Sequence, residues 1–113
     1  MRWRLGLAAV VVSVLLLTGC TTEEIIHVWF DRYGATMQDK EDAIDVARCE
    51  SGLNEEARNG DYYGLFQLSK TYHEARARSL GYTWSDMLDA GPNSHVAASL
   101  WSEQGWRPWA CAP

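Results

Sequence analysis

The chain has 113 residues, of which 10 are Lys or Arg and 15 are Asp or Glu, so its formal charge is −5 at neutral pH. One domain is the expectation for this length. The acidic balance argues against a nucleic-acid partner, because nucleic-acid binding needs clustered Lys and Arg. It also provides no electrostatic attraction to an anionic membrane surface.

The first segment, residues 1–19, is typical of a secretory signal. Two arginines precede an apolar run, and this run is shorter than a membrane-spanning helix, which needs about 20 residues. The run ends in LTGC (17–20), which resembles the bacterial lipobox. The resemblance implies cleavage before Cys20 and a lipid on its sulfur, which would anchor the exported chain to the outer face of the bacterial cell membrane. An ordinary signal peptide or an uncleaved anchor is the alternative.

Residues 20–24 are predicted to be a short tether, and residues 25–113 the folded domain. Such a small domain buries a modest core, and exported domains of this size are often stapled by disulfides. Cys49 and Cys111 are the pair that remains once Cys20 is set aside. Their bridge would close a loop of about 60 residues and stabilise the fold by about 4 kcal/mol in the chain-entropy model. Two free buried thiols are the alternative.

The domain is predicted to be mostly helical. Apolar spacing indicates a helix over residues 25–33, and a helix start at Thr36 opens a second one that runs to about Cys49. Glu50 then lies at a helix C-terminus. Further helices are predicted over 64–68, 70–80 and 84–88, and from Pro92 to about Gln104. A hairpin-turn signal at 59–60 adds a small β element, so the fold class is mainly α (α+β) with at most a short β-hairpin.

Carboxylates are the side chains whose pattern best indicates catalysis. The three histidines are far apart in sequence and the chain has no Gly-rich phosphate loop, so neither a metal nor a cofactor is expected. At the end of its helix, Glu50 meets a dipole that disfavours negative charge and favours the protonated form that a general acid needs. By composition alone, however, a Glu at a helix end is far more often a solvated surface residue.

Four motifs in order resemble those of lysozyme-like lytic transglycosylases. CESG (49–52) and YYGLFQ (62–67) resemble the Glu-Ser and Gly-x-x-Gln signatures of the soluble lytic transglycosylase domain. DAGPNSHVAASLW (89–101) is similar to the Asp-Pro-Asn helix start of that family. The tail QGWRPWAC (104–111) resembles resuscitation-promoting factors, although its last Trp and Cys stand one residue closer than in that pattern.

The resemblance implies a small bilobed lysozyme-like fold. It also implies a monomer that cleaves the β-1,4 bond between N-acetylmuramic acid and N-acetylglucosamine in peptidoglycan. Glu50 would be the catalytic acid, and Ser51 would orient it. Further roles in or behind the substrate cleft are implied for Tyr63, Gly64, Gln67, Gln104 and Trp106.

The second carboxylate that most glycosidases use is left open. Asp61 is one residue away from the position where animal-type lysozymes carry an aspartate, and such an offset in a hairpin turns a side chain to the other face. Asp61 is therefore expected to be a turn residue, and Glu55 and Glu56 to be solvated loop charges. A single acid suits a lytic transglycosylase, which leaves 1,6-anhydro ends. The alternatives are a muramidase hydrolase on the same site, a non-catalytic glycan-binding lipoprotein, and a structural lipoprotein with no glycan contact.

Overall fold

The structure is a computed structural model that describes residues 19–113, so residues 1–18 of the predicted signal segment lie outside the described residues. Within 19–113, no helix is both long and apolar enough to cross a membrane. The elements of this part of the chain are, in order, α1 (Thr22–Arg32), α2 (Met37–Ser51), β1 (Arg58–Asn59), β2 (Tyr62–Tyr63), β3 (Leu68–Ser69), α3 (Lys70–Ser79), a 3-10 helix (Trp84–Leu88) and α4 (Ala90–Gln104). The predicted mainly helical class with a small β element is confirmed.

The first two helices form an antiparallel hairpin. An ion pair between Lys40 and Asp31, with an N–O distance of 2.9 Å, joins the start of α2 to the end of α1. A second pair between Arg48 and Glu23, at 3.5 Å, joins the end of α2 to the start of α1. The first turn of α1 therefore lies beside the last turns of α2.

Side-chain caps set the starts of both helices. The Thr21 hydroxyl accepts from the backbone N–H of Glu24, so α1 begins at Thr22 and residues 22–24 belong to the helix rather than to the expected tether. Thr36 and Asp39 form a reciprocal capping box at the start of α2, where the sequence predicted a helix to begin. Only Thr21 then separates Cys20, the predicted lipid site, from α1.

A three-stranded antiparallel sheet in the order β1-β2-β3 follows α2. Asn59 pairs with Tyr62 across the predicted tight turn. The helix predicted over 64–68 is wrong, because Gly64 and Gln67 have φ values of +75° and +46°, which no right-handed helix contains. Residues 64–67 instead form a turn that leads into β3.

Asn93 of α4 joins the sheet region to the centre of the domain. This residue is fully buried, and its Oδ1 accepts from the backbone N–H of Phe66 at 3.0 Å. Its Nδ2 donates to the carbonyl oxygens of Tyr63 and Met87, at 3.0 and 2.9 Å. Because a buried amide must be hydrogen-bonded, these three bonds fix the turn over 64–67 against α4.

The start of α4 is capped from a distant segment. The Glu55 carboxylate accepts from the backbone N–H of Ala90 at 2.9 Å, across 35 positions of sequence. Glu55 lies in a loop and is exposed, as predicted, and it also has a capping role that the sequence did not predict. A carboxylate at a helix N-terminus is stabilised by the unpaired N–H groups and by the helix dipole, so this contact also ties the loop after α2 to the second half of the fold.

Candidate active site

Glu50 lies in the last turn of α2, where the chain is fixed from two sides. Gly52 ends the helix in the left-handed conformation, with φ of +66°. The predicted Cys49–Cys111 disulfide is confirmed. The backbone N–H of Cys111 donates to Glu50 Oε2 at 3.2 Å. The disulfide thus brings the tail to the carboxylate itself, and this bond holds the half-buried Glu50 side chain in place.

Glu50 stands at one end of a groove with three adjoining sections. The Glu50 section has a volume of about 360 Å³ and is lined by Glu50, Asn59, Tyr62, Gln67, Pro108 and Trp109. The middle section, of about 170 Å³, shares Tyr62, Gln67, Pro108 and Trp109 with the Glu50 section. The Arg76 section, of about 560 Å³, is lined by Tyr72, His73, Arg76, Gln104 and Pro108. Because Tyr72, His73 and Pro108 also line the middle section, the three sections are continuous.

The two ends of the groove differ in charge. Among the residues that line the three sections, Glu50 has the single carboxyl group and Arg76 the single guanidinium. Burial lowers the pKa of His73, and the nearby charge of Arg76 lowers it further, so the His73 imidazole is neutral at pH 7. A ligand along the groove would therefore meet an acid at one end and a cation at the other.

Asp61 is engaged outside the groove. Its carboxylate accepts from the Ser69 hydroxyl, and also from the Thr71 hydroxyl at 3.0 Å and the Thr71 backbone N–H at 3.2 Å. These hydrogen bonds, that of Ser69 first, hold the pKa of the Asp61 carboxyl below its ordinary value. The side chain joins the hairpin turn to the start of α3, as expected of a turn residue.

The tyrosine of β2 that faces the groove is not the one predicted. Tyr63 is buried, stacks edge-on against Trp84 and lies under the Arg58 guanidinium. Tyr62 is half exposed and lines both the Glu50 section and the middle section. Successive side chains of a strand point to opposite faces, so the expectation that Tyr63 lines the cleft is wrong by one residue.

Gly64 has a packing role in place of the expected approach to glycan. A Cβ built on it would lie 2.1 Å from the Met87 carbonyl oxygen and 2.3 Å from Asn93 Nδ2. Its positive φ also favours glycine. The residue is needed because the turn passes directly over the Asn93 amide, so the role implied for it in the cleft is corrected.

Gln67 is buried and makes the hydrogen bonds behind the cleft that the resemblance implies, and it also lines the Glu50 and middle sections. Its Nε2 donates to the carbonyl oxygens of Gly64 at 3.0 Å and Ala57 at 3.3 Å. Its Oε1 accepts from Asn59 Nδ2 at 2.9 Å. Gln67 therefore fixes the amide of Asn59, which lines the Glu50 section and leaves its own Oδ1 for a ligand.

The remaining predicted site residues divide between the groove and the core. Gln104, at the end of α4, lines the Arg76 section. The Ser51 hydroxyl donates to the Ala47 carbonyl oxygen at 3.0 Å, one turn back in α2, instead of to the Glu50 carboxylate. Trp106 is half-buried and packs on Phe30 and Trp109, at ring distances of 5.6 and 5.2 Å, so it belongs to the core rather than to the groove lining.

Sequence reasoning gave no site role to Trp109, which lies on the tail side of the groove together with Pro108. This residue is buried, lines both the Glu50 section and the middle section, and donates from Nε1 to the Phe66 carbonyl oxygen at 2.9 Å. Its place two residues before Cys111 was a usable signal, because the disulfide carries this stretch of tail to Glu50. Asn59, Tyr62 and Pro108 were missed as well.

Comparisons of the chain with protein-family models, with curated proteins and with solved structures give no match. Among residues 19–113, no three His, Cys, Asp or Glu side chains come together as metal ligands do.

Proposed function

We propose that the protein is a lytic transglycosylase that cleaves the glycan strands of peptidoglycan, with Glu50 as its single catalytic acid and base. The observation that carries the proposal is the position of Glu50 in the groove. It is the one carboxyl group among the lining residues, it stands beside aromatic rings suited to sugar faces, and a backbone N–H holds it. The motifs around Glu50 and Gln67 supply the reaction class through their resemblance.

In the proposed reaction, Glu50 protonates the oxygen of the bond between N-acetylmuramic acid and N-acetylglucosamine. The bond from that oxygen to C1 breaks, and the acetamido group of the substrate stabilises the positive C1, as in substrate-assisted glycosidases. Glu50, now a carboxylate, takes the proton from the muramic C6 hydroxyl, whose oxygen bonds to C1. The product is a 1,6-anhydro sugar, and no water is consumed.

The hydrogen bonds of Asp61 favour this mechanism over hydrolysis with two carboxylates. A retaining glycosidase needs its second carboxylate within about 5 to 5.5 Å of the first, on the same bond of the substrate. Asp61 does not line the groove, and its oxygens already accept from Ser69 and Thr71. For this reason we place a muramidase hydrolase second. The products of the reaction distinguish a hydrolase from a transglycosylase.

The proposal includes a lipid on Cys20 that would hold the enzyme at the outer face of the bacterial membrane. Cys20 is exposed, and among the described residues its thiol is the one that forms no disulfide. It lies directly before Thr21, the N-cap of α1. The mass of the detergent-extracted chain would report the lipid, and a Cys20→Ser chain would be recovered without it.

The deciding experiment is digestion of purified peptidoglycan by the detergent-extracted protein and by its Glu50→Gln variant, followed by mass analysis of the released fragments. We expect fragments lighter by one water at the muramic end, and a loss of at least about 100-fold in rate for Glu50→Gln. Ordinary reducing ends would establish the hydrolase. Equal release by both proteins would rule out Glu50 as the acid, and binding without release would indicate a glycan-binding lipoprotein.

A further inference from the structure

The Arg76 section is a part of the groove that the proposed bond cleavage does not use. It lies at the end away from Glu50, and its volume of about 560 Å³ is the largest of the three. Tyr72, which is 80% exposed, stands at its edge. A strand seated on Glu50 and extending along the groove would therefore bring a further part of itself to Arg76.

The Arg76 guanidinium is held in place with donors to spare. Its Nη1 donates to the Ser99 hydroxyl at 2.9 Å, and its Nη2 pairs with Glu103. Two of the five N–H groups of a guanidinium are used in this way, and the side chain is only 21% exposed. A guanidinium fixed by two partners loses little conformational freedom when it binds an anion, and its planar fork matches a carboxylate.

The surroundings of Arg76 set limits on what binds there. Glu103 is exposed, and the pairing with Arg76 lowers the pKa of its carboxyl, so it stays charged and competes for the same guanidinium. Arg107 lies close by, since its Nε donates to the carbonyl oxygen of Gln104. The Arg76 section is therefore a positively charged part of an acidic protein, and the exposed Glu103 carboxylate offsets part of that charge.

We propose that the Arg76 section binds a carboxylate carried by the glycan strand, with Arg76 as the residue that recognises it. The inference rests on the proposed function and extends it from the bond that is cut to the kind of strand that is accepted. Two sources could supply the group, namely the lactyl carboxylate of an unsubstituted muramic acid and the carboxylates of a peptide attached to it. Neutral strands would lack the contact.

Three forms of one strand preparation separate these sources. The first form carries its peptides, the second has had them removed by an amidase so that lactyl carboxylates are free, and the third is the second with those carboxylates converted to methylamides. We expect the detergent-extracted protein to cleave at least one carboxylate form about tenfold better than the methylamide form, the size of one partly exposed charge-assisted bond. The carboxylate form that is preferred identifies the source.

Two kinds of variant, one expected to weaken and one expected to strengthen the preference for carboxylate strands, test whether Arg76 causes it. A matched control accompanies them. Arg76→Gln should abolish the difference in cleavage rate between the carboxylate strands and the methylamide strand, and Arg76→Lys should keep part of that difference. Glu103→Gln should increase the preference, because it removes the competing carboxylate. Arg78→Gln is the control, since Arg78 is an exposed Arg on the same helix that pairs with Glu74 and does not line the groove.

The same strands are also tested for binding to the Glu50→Gln protein, so that the two proposals can fail separately. Equal binding of all three forms, or an Arg76→Gln loss that is the same on every form, would overturn the role of Arg76. If the wild-type chain cleaves nothing yet binds carboxylate strands selectively through Arg76, the transglycosylase proposal fails and this inference stands. Should Arg76→Gln fail to fold by circular dichroism, the Arg76→Lys and Glu103→Gln results decide.

Discussion

The two walls of the groove are built in different ways. The sheet wall is formed by residues 57–69. It is fixed by hydrogen bonds from the buried side chains of Gln67 and Asn93 to backbone groups of this segment and of Met87. The tail wall, formed by residues 106–111, has no helix or strand. It is attached by the Cys49–Cys111 disulfide and by the bond from Trp109 to Phe66.

This difference suggests that the sheet wall matters mainly for folding and the tail wall mainly for the position of the site. Buried amide networks are costly to leave half-satisfied, so the sheet wall forms together with the core or not at all. A covalent bond at the end of an irregular segment acts mainly on the unfolded chain and on the position of that segment. We therefore expect damage to the sheet wall to act mainly on the stability of the whole fold, and damage to the tail wall to misplace the site even in protein that is folded.

The largest effect is expected for Gly64→Ala in the sheet wall. The added methyl group would lie 2.1 Å from the Met87 carbonyl oxygen in a backbone conformation that disfavours it. Overpacking and backbone strain together should lower the free energy of unfolding by about 4 kcal/mol, which is a large share of the about 5 to 15 kcal/mol that is usual for a folded domain. Urea unfolding measured by circular dichroism would give the value.

Gly60→Ala is the matched control for that prediction. Gly60 also has a positive φ, of +59°, but a Cβ there would meet nothing within 4 Å. Only the conformational cost of about 1 to 2 kcal/mol should then appear. If the two variants lose similar amounts of unfolding free energy, the close approach of Gly64 to Asn93 contributes nothing to stability. The sheet wall would then be no more sensitive to substitution than an ordinary turn.

Removal of the disulfide should have an intermediate effect on stability and a large one on the site. The paired Cys49→Ser and Cys111→Ser changes open a loop of about 60 residues and should cost about 3 to 4 kcal/mol of unfolding free energy. The Cys111 N–H would no longer be held against Glu50, so cleavage of peptidoglycan should fall even under conditions where the protein stays folded. Cys20→Ser is the control and should change neither quantity. Full cleavage by the double variant would show that Trp109 alone positions the tail wall.

The smallest effect is expected for Asp61→Asn, which weakens the outer bonds of the sheet wall. The pKa of Asp61 is lowered in the folded state, so its contribution to stability is present above the ordinary value of 3.8 and is lost as the pH falls through the lowered value. The stability difference between wild type and variant should therefore vanish in acid, and cleavage near neutral pH should continue. If Asp61→Asn abolishes cleavage while stability is unchanged, Asp61 would have to be considered as the second catalytic carboxylate.

The sequence was informative wherever local chemistry determines structure. The cap at Thr36, the turn at 59–60 and the helix with Pro92 in its first turn were all predicted, because side-chain caps, Asn-Gly turns and proline act over a few residues. The Cys49–Cys111 pair was also predicted, since an exported chain with two remaining cysteines leaves little choice. Glu50 was singled out by its place at a helix end and by the motif resemblance, and the structure places it in the groove beside that disulfide.

What could not be predicted depends on contacts between distant residues. A two-residue strand has no periodicity, so the choice between Tyr62 and Tyr63 for the groove face could not be made from pattern. The positive φ of Gln67, which turns an expected helix into a turn, is stabilised by bonds to Asn59 and Ala57 and leaves no mark on the sequence. Glu55 reaches Ala90 over 35 positions, which no local rule detects.

The antiparallel hairpin of α1 and α2 has a consequence for where the protein would work. It puts the first turn of α1, and with it Cys20, beside the last turns of α2 that carry Glu50. If a lipid fixes Cys20 in the bilayer, only Thr21 separates the bilayer from the first helix, and the groove cannot rise far above the headgroups. With the lipid and the activity proposed above, the groove would act on glycan strands that lie close to the membrane surface.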